Sequence, residues 1–424
     1  MGEPDPRATA VRILLRVLTE ATHLGLVWND LSVNALAARD RRFVQRLVMG
    51  VLRRLAEIDY LIERTSRKQR ERLDREVLWI LRVAVYELLD LNTPPRAVVH
   101  EGVRLCRTFR KASATSFVNG VLREYLRRPV TLPEDTDTTS LAIRHSHPEW
   151  LVRRYVSRHG LDVATQLMQH NNREPEHFLW INPFRAGATE VCRRLEENGF
   201  PCQPVDSVPN CLRTSAAVAK HALYERGAGV FIDISSQWVA NLPDVSQCRR
   251  IADLCAAPGG KSLVLASRLP VGARLIASDI SLPRMLSMRE RVVRLGVPAL
   301  SLLRADLNRS CFKEETFDFV LLDVPCSGLG TLASNPDIRW RFRPEQLARL
   351  QEQQLGLLRS AFPLLRRGGE LLYSTCSTEE EENETVVAEF LRSEPAARPL
   401  KPFQRTSPLL YGGQAFFAAR VRRG

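Results

Sequence analysis

Apolar side chains recur three and four residues apart through the first 130 residues, the spacing that gives a helix one dry face. Ala8, Val11, Ile13-Leu14-Leu15 and Val17-Leu18 begin the pattern, and Phe43, Leu47, Val51 and Leu55 repeat it with arginines between them. Helices are predicted over Asp40–Leu55, Asp59–Ser66, Arg75–Leu89, Ala97–Cys106 and Ser113–Leu126, broken once at Asn92-Thr93-Pro94-Pro95. Residues 129–140 are polar and turn-rich and read as a linker. Residues 145–228 read as a small α+β unit, with helices over Pro148–Arg158, Leu161–Asn171 and Thr189–Asn198 and a strand at His177–Asn182. From residue 229 to 424 strand and helix alternate, which implies a parallel sheet with helices on its faces. Strands are expected at Arg250–Leu254, Arg274–Ser278, Leu300–Arg304, Phe317–Leu322 and Gly369–Ser374. Helices are expected at Lys261–Leu269, Pro283–Leu295, Pro344–Leu365 and Glu379–Leu391. Gly368-Gly369 closes the third of these, and Ala415–Arg422 forms a last, antiparallel edge strand.

The stretch Ile251–Lys261 runs a buried strand into a Pro258-Gly259-Gly260 turn and then a helix. Such a turn presents backbone N–H groups at the carboxyl edge of the sheet, where open α/β sheets bind nucleotide-like ligands. Acids follow successive strands: Asp279, Asp306 and Asp323. One alone reads as a cap; three above one glycine turn point to a nucleoside-type cofactor. The glycine spacing is not that of a dinucleotide fingerprint, so a ligand without pyrophosphate fits better.

Cys326 and Cys376 follow the fourth and fifth strands, so neighbouring strands would bring both thiols to the ligand edge. Each taken singly reads as a small buried hydrophobe. No histidine follows His221, so neither a Cys–His dyad nor a histidine-bound metal can be built inside the sheet domain from its own residues. Asp323 is the strong acid/base candidate beside Cys326. The run Glu379–Glu384 reads as the first turn of a helix capped by Ser377 or Thr378.

Composition adds a polyanion to the picture. The net charge is +13 over 424 residues, and residues 1–130 alone hold 24 Lys+Arg against 15 Asp+Glu. Arginine forks suit phosphate, although arginine can also merely decorate helix surfaces. The nine cysteines include no C-x-x-C pair, which argues against a zinc ribbon or a disulfide framework. With no apolar run long enough for a membrane span, the expectation is a reduced, cytoplasmic, monomeric protein that uses neither metal nor membrane.

Asp253-Leu-Cys-Ala-Ala-Pro-Gly-Gly-Lys261, Asp323-Val-Pro-Cys-Ser-Gly328 and Ser374-Thr-Cys-Ser377, in this order, resemble the signature motifs of the Nol/Nop/Sun RNA cytosine-C5 methyltransferases. The basic helical start, with Asp40-Arg41-Arg42 and Asn119-Gly120-Val121-Leu122-Arg123, resembles the NusB-type RNA-binding fold. Together they are similar to the RsmB/Sun family, which methylates a cytosine of 16S ribosomal RNA. The resemblance implies a NusB-like all-α domain, a small α+β domain and a Rossmann-like methyltransferase domain. It implies S-adenosylmethionine held by Cys255, Ala256, Ala257, Pro258, Gly259, Gly260, Lys261, Asp279, Arg284, Asp306 and Asp323. It further implies Cys376 as the nucleophile toward cytosine C6, Asp323 on the base, Cys326 in product release, and Lys261 in the catalytic group. Three places depart from the pattern: Ala333-Ser334 where a basic pair is usual, Trp180 where arginine is common, and Gln414-Ala415 in place of an acidic-Gly pair. The alternatives are another substrate, such as tRNA or DNA, and a non-catalytic NusB-like RNA-binding factor.

Overall fold

A computed structural model describes residues 5–20, 24–28, 33, 35–135, 137–298, 300–309 and 311–424; the helical expectation over 21–23, 29–32 and 34 lies outside them. The chain divides into two compact units. One runs to Arg173 and takes in Leu332–Arg343; the other is Glu174–Thr331 with Pro344–Gly424.

In the first unit the helices of seven or more residues are α1 (Pro6–Thr19), α2 (Ala38–Arg53), α3 (Leu55–Ser66), α4 (Arg75–Asp90), α5 (Pro95–Thr108), α6 (Thr115–Arg127), α7 (Thr138–Arg144) and α8 (Glu149–Asn172). The apolar stripes of α1 to α6 meet in one core that includes Leu14, Leu47, Val51, Ile58, Ile80, Leu105 and Leu122. Buried acids in it are matched by arginine forks: Arg82 donates to both oxygens of Asp59 at 2.7 and 2.8 Å. The polar run 129–140 ends in a helix rather than a linker, because Asp137 caps α7 by accepting from the Ser140 N–H. The two helices expected before His177 form one element, α8, kinked at Gly160, and it lies in the first unit.

The insert Leu332–Arg343 completes this unit. Arg339 is fully buried and donates to the Ser146 and Asn171 carbonyls at 3.0 and 2.9 Å and to Asn172 Oδ1 at 2.7 Å. Burial pushes its guanidinium down to about 9, which leaves it cationic at neutral pH. Trp340 Nε1 donates to the Leu52 carbonyl.

The second unit carries two sheets. β1 (His177–Ile181), β2 (Cys202–Pro204), β3 (Cys211–Thr214) and β4 (Gly229–Phe231) form an antiparallel sheet in the order β2-β3-β1-β4, covered by α9 (Ala188–Glu197). The larger sheet holds β5 (Arg250–Asp253), β6 (Arg274–Asp279), β7 (Leu300–Arg304), β8 (Phe317–Asp323), β9 (Leu365–Thr375), β10 (Ala397–Pro399), β11 (Gln404–Arg405) and β12 (Phe417–Arg423). Its order is β10-β12-β9-β8-β5-β6-β7, with β5 to β9 mutually parallel and β12 antiparallel to β9. The helices here are α10 (Ile234–Asn241), α11 (Gly260–Ala266), α12 (Leu282–Leu295), α13 (Gln346–Ala361) and α14 (Glu384–Ser393).

Three expectations change. β12 is not an edge strand, since β10 pairs beyond it. The helix before β9 ends at Ala361, and Gly368, with φ +76°, lies inside the strand. The acidic run is a single 3-10 turn, Glu380–Glu382, and α14 starts only at Glu384. Trp180, one of the departures, is a core residue: it packs with Val230, Ile251, Leu263 and Leu372. The sheet winds outward in both directions from β5 and β8, so the crevice between their carboxyl ends is the topological switch point.

Candidate active site

The register of β8 and β9 sets the geometry. Asp323 stands opposite Ser374, and Ser374 Oγ donates to Asp323 Oδ1 at 2.7 Å. Three residues beyond Asp323 and two beyond Ser374, the loops bring Cys326 Sγ and Cys376 Sγ to 3.2 Å. Lys261, at the start of α11, reaches across from β5 and donates to Asp323 Oδ2 at 2.7 Å. Its ammonium also lies 4.4 Å from the Phe416 ring centroid, a cation–π contact. Two thiols, a carboxylate and an ammonium therefore share one sheet edge.

The hydrogen bond to Cys376, followed by burial, pushes Cys326 well above the usual thiol range, so it keeps its proton. Burial does the same to Cys255, reinforced by Asp253 and Asp279.

Braces that the sequence did not reveal hold both loops. Glu382 is fully buried; its Oε1 accepts from the Ser327 N–H and Gln354 Nε2 at 2.8 and 2.9 Å. Its Oε2 accepts from Ser327 Oγ at 2.5 Å and from Ser377 Oγ. Asn383 accepts from Thr375 Oγ1 at 2.6 Å and donates to the Ser377 carbonyl at 3.0 Å. One carboxylate thus ties together the residues that follow each cysteine. The readable signal was an acidic run directly after Ser-Thr-Cys-Ser, whose hydroxyls need acceptors. Gly330 completes the frame: its N–H donates to the Cys376 carbonyl at 2.9 Å, and a Cβ there would lie 2.3 Å from the Ala415 carbonyl oxygen.

Beside this cluster lies a cavity of about 270 Å³. Cys255, Ala256, Ala257, Pro258, Gly260, Lys261 and Asp323 of the expected set line it; Gly259, Asp279, Arg284 and Asp306 do not. Gly259 acts through the backbone: its φ of +96° lets the turn pass under Met288, whose Cγ would lie 2.8 Å from a Cβ. Asp279 holds the turn, accepting from the Ala257 and Ser281 N–H groups at 3.1 and 2.9 Å. Arg284 holds the Ala257 carbonyl, and Asp306 accepts from the Asn308 N–H at 3.0 Å. Asp233, Asp253 and Gln414, which sequence reasoning did not assign to the site, also line the cavity. Gln414 belongs to a departure from the family pattern, and it contributes backbone: its N–H donates to Asp233 Oδ1 at 3.3 Å and its carbonyl accepts from Ser235 Oγ at 2.7 Å.

Asp253 is buried; Ser262 Oγ donates to its Oδ2 at 2.6 Å, while Oδ1 has no partner among the described residues. Burial pushes its carboxyl up to about 7. Between about pH 4 and pH 7 the folded chain therefore holds a proton that the unfolded chain has released, and stability falls as pH rises through that window, by up to about 1.4 kcal/mol per pH unit. In calorimetry without ligand, Asp253→Asn should melt above the wild type at pH 8, the gap closing toward pH 4. A gap independent of pH would remove Asp253 as the proton holder.

Comparison with known proteins places the chain in a family. Residues 242–416 match the family described as 16S rRNA methyltransferase RsmB/F, residues 4–127 the NusB family, and residues 147–220 the ferredoxin-like domain of RsmF/B-like methyltransferases. The chain is 33% identical to a probable ribosomal RNA small subunit methyltransferase B of Synechocystis, over 89% of this chain and 86% of that one. It is 30% identical to ribosomal RNA small subunit methyltransferase B of Sodalis glossinidius, over 98% and 97%. Among solved structures, PH0851 superposes with a TM-score of 0.82 at 24% identity and covers 99% of both chains. NSun6 from Pyrococcus horikoshii, solved with SFG, gives a TM-score of 0.59 at 20% identity, covering 65% of this chain and 98% of its own. This chain belongs to the RsmB/F family of ribosomal RNA small-subunit methyltransferases.

Proposed function

We propose that the protein methylates C5 of one cytosine in 16S ribosomal RNA, using S-adenosylmethionine and a transient bond between Cys376 and cytosine C6. The observation that carries this reading is the pair of sulfurs 3.2 Å apart, next to a carboxylate joined to Lys261 at a cavity edge. The cavity suits the donor. Asp233, Asp253 and Asp323 line it together with the cations Lys261 and Arg291, and Asp253 Oδ1 is a buried acceptor with no partner among the described residues, free to take a donor group of the ligand. The donor supplies an electrophilic methyl group.

The rest of the chemistry falls to the chain. C5 of cytosine is a weak nucleophile; adding the Cys376 thiolate at C6 makes it enamine-like. Asp323 faces the base and assists protonation at N3, with Lys261 and Ser374 fixing its two oxygens. Solvent water takes the C5 proton as the Cys376–C6 bond breaks, and Cys326, kept as a thiol, donates to the departing Cys376 thiolate and stabilises it. Because the thiols must reach a ring face, the base must lie in a single strand or be turned out of a stem.

The test is methyl transfer from labelled donor to a small-subunit transcript and to small-subunit particles, followed by bisulfite sequencing. One protected cytosine in either substrate is the expected result. Label in tRNA alone, or label outside cytosine C5, would overturn the assignment.

A further inference from the structure

We propose that the groove between α5 and α6 of the first unit binds a single-stranded segment of the RNA substrate. This rests on the reading of RNA as substrate and gives that RNA a defined site in the helical unit. The groove encloses about 710 Å³, within the range of pockets that take a nucleotide-sized ligand. Arg96, Arg107 and Arg123 line it, and no carboxylate does.

All three side chains are exposed, and none makes an ion pair among the described residues. Several other arginines of this unit are neutralised by acids: Arg7 by Glu87, Arg54 by Glu57, Arg104 by Asp5 and Glu101. Surface decoration would pair or scatter these cations. Three that converge on one groove repel one another until an anion with several charges arrives.

The floor selects among polyanions. Val99 and Val103 are half-buried, and Leu126 is 41% exposed on a helix whose other apolar residues point inward. Arginine forks beside an aliphatic floor match a strand in which phosphates alternate with flat base faces. A duplex keeps its base faces stacked and could use the forks but not the floor. Asn119 and Ser116, also in the lining, supply donors and acceptors for base edges. Asn119 and Arg123 belong to the Asn119–Arg123 stretch singled out in the sequence, and the catalytic cluster uses neither.

The test uses the full chain and a fluorescein-labelled single-stranded oligonucleotide of small-subunit sequence, with anisotropy read across a salt series. Arg96→Gln/Arg107→Gln/Arg123→Gln should weaken binding about tenfold or more and make the salt slope shallower by about 2, at roughly 0.7 for each phosphate no longer neutralised. KM for the RNA should rise while kcat at saturating RNA and the melting temperature stay unchanged. The triple Arg→Lys variant should keep most of the slope, and Leu126→Glu should weaken single-stranded binding more than duplex binding. Unchanged affinity and slope in the glutamine variant would overturn the proposal, as would equal losses for duplex and single strand. So would weakened binding of ribosomal particles with unchanged affinity for naked RNA, which would place a protein in the groove. A wild-type chain that transfers no methyl group would instead count against the proposed activity, so the two failures are distinct.

Discussion

Cys326→Ala is expected to accumulate a covalent protein–RNA adduct, while Cys376→Ala forms none and loses methyl transfer altogether. The asymmetry follows from the two proposed roles. Cys326 lies 3.2 Å from Cys376 and stays protonated, which suits a group that eases a thiolate out of a bond. Removing it leaves attack and methylation possible and slows release. Removing Cys376 removes the bond-forming atom, for which a loss of roughly 10⁴-fold or more in kcat is expected. Denaturing gels of each variant with labelled RNA and methyl donor read the outcome directly. Adduct in Cys376→Ala and none in Cys326→Ala would exchange the two roles.

Glu382 should matter nearly as much without touching substrate. Glu382→Ala leaves Ser327, Ser377 and Gln354 as buried donors without their acceptor, at about 1–3 kcal/mol each before relaxation. Glu382→Gln keeps the shape but replaces acceptor lone pairs by an NH₂ that must face other donors. Both variants should cut kcat, by roughly 10- to 1000-fold, because loops displaced by about an ångström no longer align the sulfurs. KM for the methyl donor should move little, since Glu382 is not among the residues that line the cavity. A variant with full kcat and a lowered melting temperature would reduce Glu382 to a purely structural prop. The acidic run that reads as a solvated helix start thus contains the residue that fastens the two cysteine loops.

The sheet was legible because its central strands β5, β6 and β8 are largely buried and read as apolar runs between helical periods. The site was legible because Asp323, Cys326 and Cys376 all follow strand ends, and parallel pairing of β8 with β9 brings such ends together. Less visible were interactions set by register and depth. Nothing in Glu379–Glu384 distinguishes Glu379 and Glu382, the two carboxylates that turn inward, and Asp253 looks like a strand terminus until its burial is known. Asp279 also fastens the glycine turn, a part its place at a strand end did not reveal, by accepting from two N–H groups. Gly368 misled for a local reason: a left-handed glycine can end a helix or sit in an irregular strand, and β8 against β9 carries such an irregularity.

Arg339 has a consequence for how the chain is made. The carbonyls of Ser146 and Asn171 receive their guanidinium from a residue translated almost two hundred positions later. While the chain is still being synthesised, the helical bundle must wait with that corner open. It finishes only after the strand carrying Asp323 has left the ribosome. A gene cut cleanly after Arg173 would yield a bundle with an unsealed seam, and one begun at Glu174 would carry an arginine with nowhere dry to go.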